Sequence, residues 1–320
     1  MTKEPDVVGE SVAGHPRWSR RRVLAVGLGG AAAVLAAGAA GAELVSHGVL
    51  PGKNLLDRLD GACSVSSPPL AFSPPGPSFS GTFHSRARNR TVGYTIAYPP
   101  AHRSGDELPL VVMLHGYGGN HARALAGMTP AQAVALTVDG RPVAAMAMVT
   151  VDGGGGYWNP HPGDDPMAMV TDELIPLCQR AGLGRAPQRI GTMGISMGGY
   201  GALLLAEKYP HLIAAVAAIS PAIWTSYAQA TSANAGAYAS AADFAANDAV
   251  THTSSLARIP VRVASGYDDP FYPGVQALAS VLPAGAVTAF GKGCHTGPFF
   301  TEQEPLSLAF LARHLVRWPR

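Results

Sequence analysis

Gly194-Ile195-Ser196-Met197-Gly198 is the only G-x-S-x-G in this chain. An apolar stretch over 189–193 leads into it, and Gly198-Gly199-Tyr200-Gly201-Ala202-Leu203-Leu204 leads out as a small-residue helix. A serine at a tight strand-to-helix turn is presented outward on a strained backbone, so its neighbours must be nearly free of side chain. Free N–H groups at the helix start lie beneath the serine and can stabilise negative charge. The chemistry open to such a hydroxyl is attack on an acyl carbon. That reaction also needs a base, a carboxylate to orient it, and donors for the developing oxyanion.

Where a serine stands on such a turn, its partners follow in the order acid, then histidine. Of the 11 histidines only His295 and His314 lie beyond the candidate acid. His314 falls in the amphipathic run Leu311-Ala312-Arg313-His314-Leu315, where a surface role is expected. His295 stands in the loop Lys292-Gly293-Cys294-His295-Thr296-Gly297 after the last expected strand, and is the predicted base. The acid comes from Ser265-Gly266-Tyr267-Asp268-Asp269-Pro270. Two adjacent carboxylates cannot both face one imidazole, so either Asp268 or Asp269 serves and the other braces the loop. The oxyanion donors are expected to be the backbone N–H of Met197 and one from His115-Gly116-Tyr117-Gly118-Gly119-Asn120. Tyr117 is the first choice there, with Gly118 as the alternative. His115 itself reads as a loop-bracing residue.

These residues need a scaffold that delivers them to one edge. Runs over 79–85 and 91–98 alternate like an antiparallel hairpin. Beyond Leu108, apolar strands over 110–114, 143–151, 189–193, 214–219, 259–264 and 286–290 alternate with helices. The helices are expected after Thr129-Pro130 and over 167–180, 197–208, 274–282 and 304–316. Strands buried on both faces and separated by helices give an α/β fold, a mostly parallel sheet with helices on both faces. Residues 221–258 are too few for a large cap domain. Asp152-Gly153-Gly154-Gly155-Gly156-Tyr157-Trp158 follows a strand and therefore projects at the same edge. Its Trp158 either lines a substrate pocket or packs beneath the loop, and Trp224 and Phe271 are candidates for the same pocket.

Composition narrows the setting. The chain has 320 residues, 47% hydrophobic and 14% charged, with a net charge of +2 and no basic stripe, which argues against nucleic acid. Residues 1–42 carry Arg20-Arg21-Arg22, a weakly apolar run and Ala40-Gly41-Ala42, and read as a twin-arginine export signal. Gly27-Leu28-Gly29-Gly30-Ala31-Ala32 mimics a dinucleotide fingerprint but lacks the flanking strand, so it is set aside. Residues 43–80 read as an N-terminal segment with a Pro/Ser-rich linker, and 81–320 as one catalytic domain. Export implies an oxidising compartment and proximity to a membrane or cell wall. Of three cysteines, Cys178 reads as buried on a helix, which leaves Cys63 to pair with Cys294. No H-E-x-x-H, Cys/His metal spacing or calcium-loop pattern occurs, so no cofactor or metal is implied.

From about Gly81 to Trp318 the chain resembles the putative-esterase family of α/β-hydrolases, which includes esterase D-like enzymes, feruloyl and acetyl-xylan esterases, and mycolyltransferases. The resemblance is carried by 115–120, Asp172-Glu173-Leu174-Ile175-Pro176, 194–201, 266–273 and 293–296. In this class the acid stands three residues past a strand-ending glycine, which here is Asp269 after Gly266, with Pro273 fitting the same pattern. The resemblance implies a Ser196–Asp269–His295 triad that cleaves carboxylic esters through an acyl-enzyme. The substrate would be a small-molecule, lipid or carbohydrate ester. Transfer of the acyl group to a sugar or lipid hydroxyl, and a non-catalytic binding protein on the same scaffold, are the rival expectations.

Overall fold

The computed structural model describes residues 63–65, 76–125, 137–138 and 141–315. The export signal expected over 1–42, most of 43–80 and the helix expected after Thr129 lie outside the described residues. Contacts gather Asp60–Arg320 into one compact unit.

β1 (Ser78–Ser85) and β2 (Arg90–Ala97) form an antiparallel hairpin. β3 (Leu110–Leu114) is followed by the short helix α1 (His121–Ala124), whose cap is Asn120 accepting from the Arg123 N–H. β4 (Thr137–Val138) and β5 (Arg141–Pro142) pair as a separate ribbon. After β6 (Ala147–Val151) comes a helical stretch made of α2 (Pro166–Ala168), a π-helical segment (Met169–Leu174) and α3 (Ile175–Arg180). β7 (Ile190–Ile195), α4 (Met197–Lys208) and β8 (Ile213–Ile219) form the centre. α5 (Tyr227–Ala233), α6 (Ala241–Ala246) and a 3₁₀ turn (Thr253–Leu256) occupy the segment before β9 (Val261–Gly266). α7 (Tyr272–Val281), β10 (Val287–Gly291) and α8 (Gly297–Leu315) complete the chain.

The sheet runs β1-β2-β6-β3-β7-β8-β9-β10, antiparallel through β1, β2 and β6 and parallel from β6 to β10. Period-two alternation feeds two cores. Leu110, Val112 and Leu114 of β3 join the cluster that contains α4, while Val111 and Met113 join the one beneath α8. The central strands are therefore buried on both faces, with helices on each side. Parallel strands also end at a common edge, where the loops after β3, β6, β7, β9 and β10 meet.

Two boundaries differ from expectation by four residues or more. The strand expected over 143–151 begins only at Ala147, which pairs with Leu110. Its partner β3 starts just past Pro109, a residue with no N–H to extend the ladder. The helix expected over 304–316 begins at Gly297 and carries Pro305 in its interior, although proline favours a first turn. The Ala/Ser-rich segment before β9 holds two short helices, each capped by a serine that accepts a backbone N–H: Ser226 from Gln229 and Ser240 from Asp243.

Candidate active site

The elbow is built by what glycine leaves out. Ser196 has φ 58° and ψ −123°, a left-handed conformation that costs a non-glycine residue about 1–3 kcal/mol. A Cβ on Gly198 would lie 1.9 Å from the Leu114 carbonyl oxygen, and one on Gly194 would lie 2.2 Å from the Gly198 carbonyl. No other residue type permits this approach of β3, β7 and α4. The Ser196 N–H donates to the Ile219 oxygen (2.9 Å), and the Ser196 oxygen accepts from Tyr200 (3.0 Å) and Ala222 (3.0 Å). The strained turn is thus pinned to β8 and to its own helix.

The loops after β9 and β10 are joined in the same way. A Cβ on Gly266 would meet the Gly293 oxygen at 2.1 Å. Across that close approach the Tyr267 N–H donates to Gly291 (2.8 Å) and the Asp268 N–H to Gly293 (3.0 Å). It is Asp269, with its side chain 0% exposed, that meets the histidine, its Oδ2 lying 2.8 Å from His295 Nδ1. Asp269 Oδ1 accepts the Phe271 N–H (2.8 Å). His295 Nε2 lies 2.9 Å from Ser196 Oγ. A carboxylate only accepts, so Nδ1 carries the proton and Nε2 is left to accept from the serine hydroxyl. That is the protonation pattern a general base requires. Phe271 and Phe300 stand edge-on to the imidazole, with centroids 5.1 and 5.0 Å away.

Met197 is the first residue of α4, so its N–H has no intrahelical acceptor. The loop holding Tyr117 runs alongside, since a Cβ on Gly116 would lie 3.3 Å from the Ile195 oxygen and 3.6 Å from Ser196 Cβ. Tyr117 is 65% exposed, with its ring over Gly155 of the glycine run. His115 braces the two loops: Nδ1 donates to the Gly116 oxygen (2.8 Å), and Nε2 accepts the Gly153 N–H (2.9 Å). Burial pushes its pKa down, consistent with a neutral bracing residue.

Trp158 does not line a pocket. It is 0% exposed, packs against Gly153 and Gly201, and donates through Nε1 to the His115 oxygen (3.2 Å). The two glycines leave room for the indole beneath the loop, so burying its large apolar area wins over exposure. Trp224 and Phe271 are only partly buried and pack edge-on at 4.7 Å, with Phe271 also against His295. Trp224 Nε1 donates to Tyr157 Oη (2.9 Å), where burial raises the phenol to about 12.

Two contributors escaped the sequence reading. Phe300 flanks His295 because α8 starts early, and the adjacent phenylalanines Phe299-Phe300 were the available signal. Arg88 grips Asp164 (2.6 and 3.0 Å) and the Asp152 oxygen (2.6 Å), tying down the loop that holds Trp158. Nothing in the local sequence marked it.

A serine on a strand-to-helix turn, set on a parallel sheet between helical layers, makes this an α/β-hydrolase, and the chain is an ester hydrolase of the serine type. The family model described as "Putative esterase" matches residues 85–282, and the chain belongs to that family. The match ends before His295, so the candidate base lies outside the matched residues. An S-formylglutathione hydrolase from Agrobacterium tumefaciens superposes with TM-score 0.60 at 19% identity, covering 77% of this chain and 98% of that one. Mycobacterium tuberculosis MPT51 (FbpC1) gives 0.59 at 16%, covering 75% and 100%. A ferulic acid esterase gives 0.57 at 18%, covering 75% and 98%. No curated protein matches the sequence.

Proposed function

We propose that this chain is an exported carboxylesterase in which Ser196 is the nucleophile, His295 the base and Asp269 the residue that orients it. The observation that carries the proposal is the continuous hydrogen-bonded line from Ser196 Oγ to His295 Nε2 (2.9 Å) and from His295 Nδ1 to Asp269 Oδ2 (2.8 Å). Ser196 attacks the ester carbonyl while His295 takes its proton. The N–H groups of Met197 and Tyr117 then hold the oxyanion, a stabilisation worth about 3–4 kcal/mol per donor. Collapse of the tetrahedral intermediate expels the alcohol, which takes the proton from His295, and water releases the acid by the same steps in reverse. Trp224 and Phe271 supply an apolar wall next to the base. Export is supported by the arginine-led apolar run over 1–42 and by the Cys63–Cys294 disulfide, a bond typical of oxidising compartments.

The test is hydrolysis of p-nitrophenyl esters of increasing acyl length by the parent and by Ser196→Ala, with a fluorophosphonate probe mapped by mass spectrometry. Serine-dependent turnover and an adduct on Ser196 are expected. Folded protein that forms no adduct would point to a binding module instead. Acyl glycerol or acyl trehalose among the products, when those alcohols are added, would point to an acyltransferase.

A further inference from the structure

We propose that the disulfide between Cys63 and Cys294 is a positioning element for His295, so that the rate of the chemical step depends on it. The inference rests on the esterase reading above. The bond links residues 231 apart in sequence, with Cα atoms 4.9 Å apart. One partner is the immediate neighbour of His295 and is 2% exposed. On the preceding side the backbone is glycine-specific: Gly293 has φ 149°, and a Cβ there would lie 2.5 Å from Phe299. Its carbonyl accepts the Asp268 N–H, which ties position 293 to the acid loop. On the following side the Thr296 N–H turns back to the Cys294 oxygen (2.8 Å), and α8 begins at Gly297.

Position 294 is therefore the pivot between the acid loop and the helix, and the imidazole is carried one residue further on. The disulfide fixes that pivot from behind, while Phe271 and Phe300 hold the ring from the sides. The other end is anchored as well. Two residues after Cys63, Val65 packs on the cluster that contains Phe299 and borders Phe300. The third cysteine cannot substitute. Cys178 is buried, and burial pushes its thiol up to about 12, so little reactive thiolate forms there. A displacement of the base on the order of 1 Å is enough to lower turnover by about a hundredfold, whereas binding of the ester does not involve the hydrogen bond from Ser196 to His295.

The experiment compares the full chain in three forms: oxidised, reduced under native conditions with dithiothreitol, and carrying Cys63→Ala. In the reduction the S–S bond becomes two thiols and the reagent's dithiol closes to a cyclic disulfide. The expected result is a fall in kcat of about tenfold or more at unchanged KM, with the fluorophosphonate labelling rate of Ser196 falling by the same factor. Near-UV circular dichroism should retain its native signal at the assay temperature. Oxidised glutathione, which becomes two reduced molecules as the bond re-forms, should restore the reduced parent but not the variant. A folded variant or folded reduced parent with full kcat would overturn the proposal. Activity lost only in step with the near-UV signal would overturn it too, because that is the mark of a purely stabilising bond. An oxidised parent with no Ser196-dependent hydrolysis would instead sink the esterase reading.

Discussion

The two ends of α4 bury polar groups on opposite terms. At its start Ser196, His295 and Asp269 form an unbroken series of hydrogen bonds beside the helix N-terminus. At its end Glu207 is buried with neither carboxyl oxygen hydrogen-bonded among the described residues. The first arrangement favours negative charge, because exposed N–H groups and the positive end of the macrodipole face it. The second opposes charge. Burial, with Asp248 adding to it, raises Glu207 to about 8, so the proton stays on at neutral pH. One helix therefore serves a reactive charge at one terminus and suppresses charge at the other.

The largest expected break in that comparison is Ser196→Ala. Turnover of a p-nitrophenyl ester should fall by about a millionfold while the melting temperature stays near that of the parent. Next is Asp269→Asn, which leaves the fold intact but allows the wrong imidazole tautomer, with a loss of about ten-thousandfold. Asp268→Asn should cost far less activity, since it is the Asp269 carboxylate that meets His295. Normal turnover in Asp269→Asn would remove Asp269 from its assigned role.

Gly198→Ala probes the packing that makes the reactive end possible. Its Cβ would fall 1.9 Å from the Leu114 carbonyl, a clash with backbone that no rotamer change relieves. The expected cost is at least about 1–3 kcal/mol, read as a lower denaturation midpoint. Since Leu114 leads directly into the loop of Tyr117, turnover should fall as well. A variant as stable as the parent would mean that elbow and oxyanion loop can move apart freely.

How much of this was legible depended on whether the cause was local. Ser196 and His295, which the structure brings within hydrogen-bond distance, were readable because a glycine-flanked turn or a strand end announces itself within a few residues, whereas Asp269 was chosen over Asp268 only through the family resemblance. The hairpin and the alternation of strands and helices were readable for the same reason, whereas the pairing of Cys63 with Cys294 came from elimination once Cys178 was placed in the core. Trp158 was ambiguous because a tryptophan beside a glycine run looks the same whether its ring turns out or in. The decision was made by Gly201, distant in sequence, which leaves the space that the indole fills. Glu207 was illegible for a related reason. Every residue of α4 except Lys208 is buried, so there is no polar face from which an acid could be recognised as misplaced. The cover comes from Asn247, which binds Lys208 Nζ, and from the 3₁₀ turn packed on the helix.

The smallest effect tests the suppressed end. In the unfolded chain Glu207 titrates near its ordinary value of 4.5, and in the folded chain near 8. Below the lower value both states hold the proton and its ionisation makes no difference. As pH rises through that interval the unfolded chain releases its proton first, so the parent loses stability progressively up to the folded pKa. Glu207→Gln preserves shape and cannot ionise, and therefore should escape that loss. The gain in melting temperature over the parent should be close to nil near pH 4.5 and largest at pH 8, each kcal/mol being worth roughly 2–4 °C for a domain of this size. Lys208, charged and adjacent, opposes the shift by favouring the carboxylate, so Lys208→Met should steepen the parent's decline across the same window. Turnover should be unchanged in Glu207→Gln. A pH-independent difference would show that Glu207 reaches solvent or a partner at its end of the helix, and the contrast between the two termini would then be one of position alone.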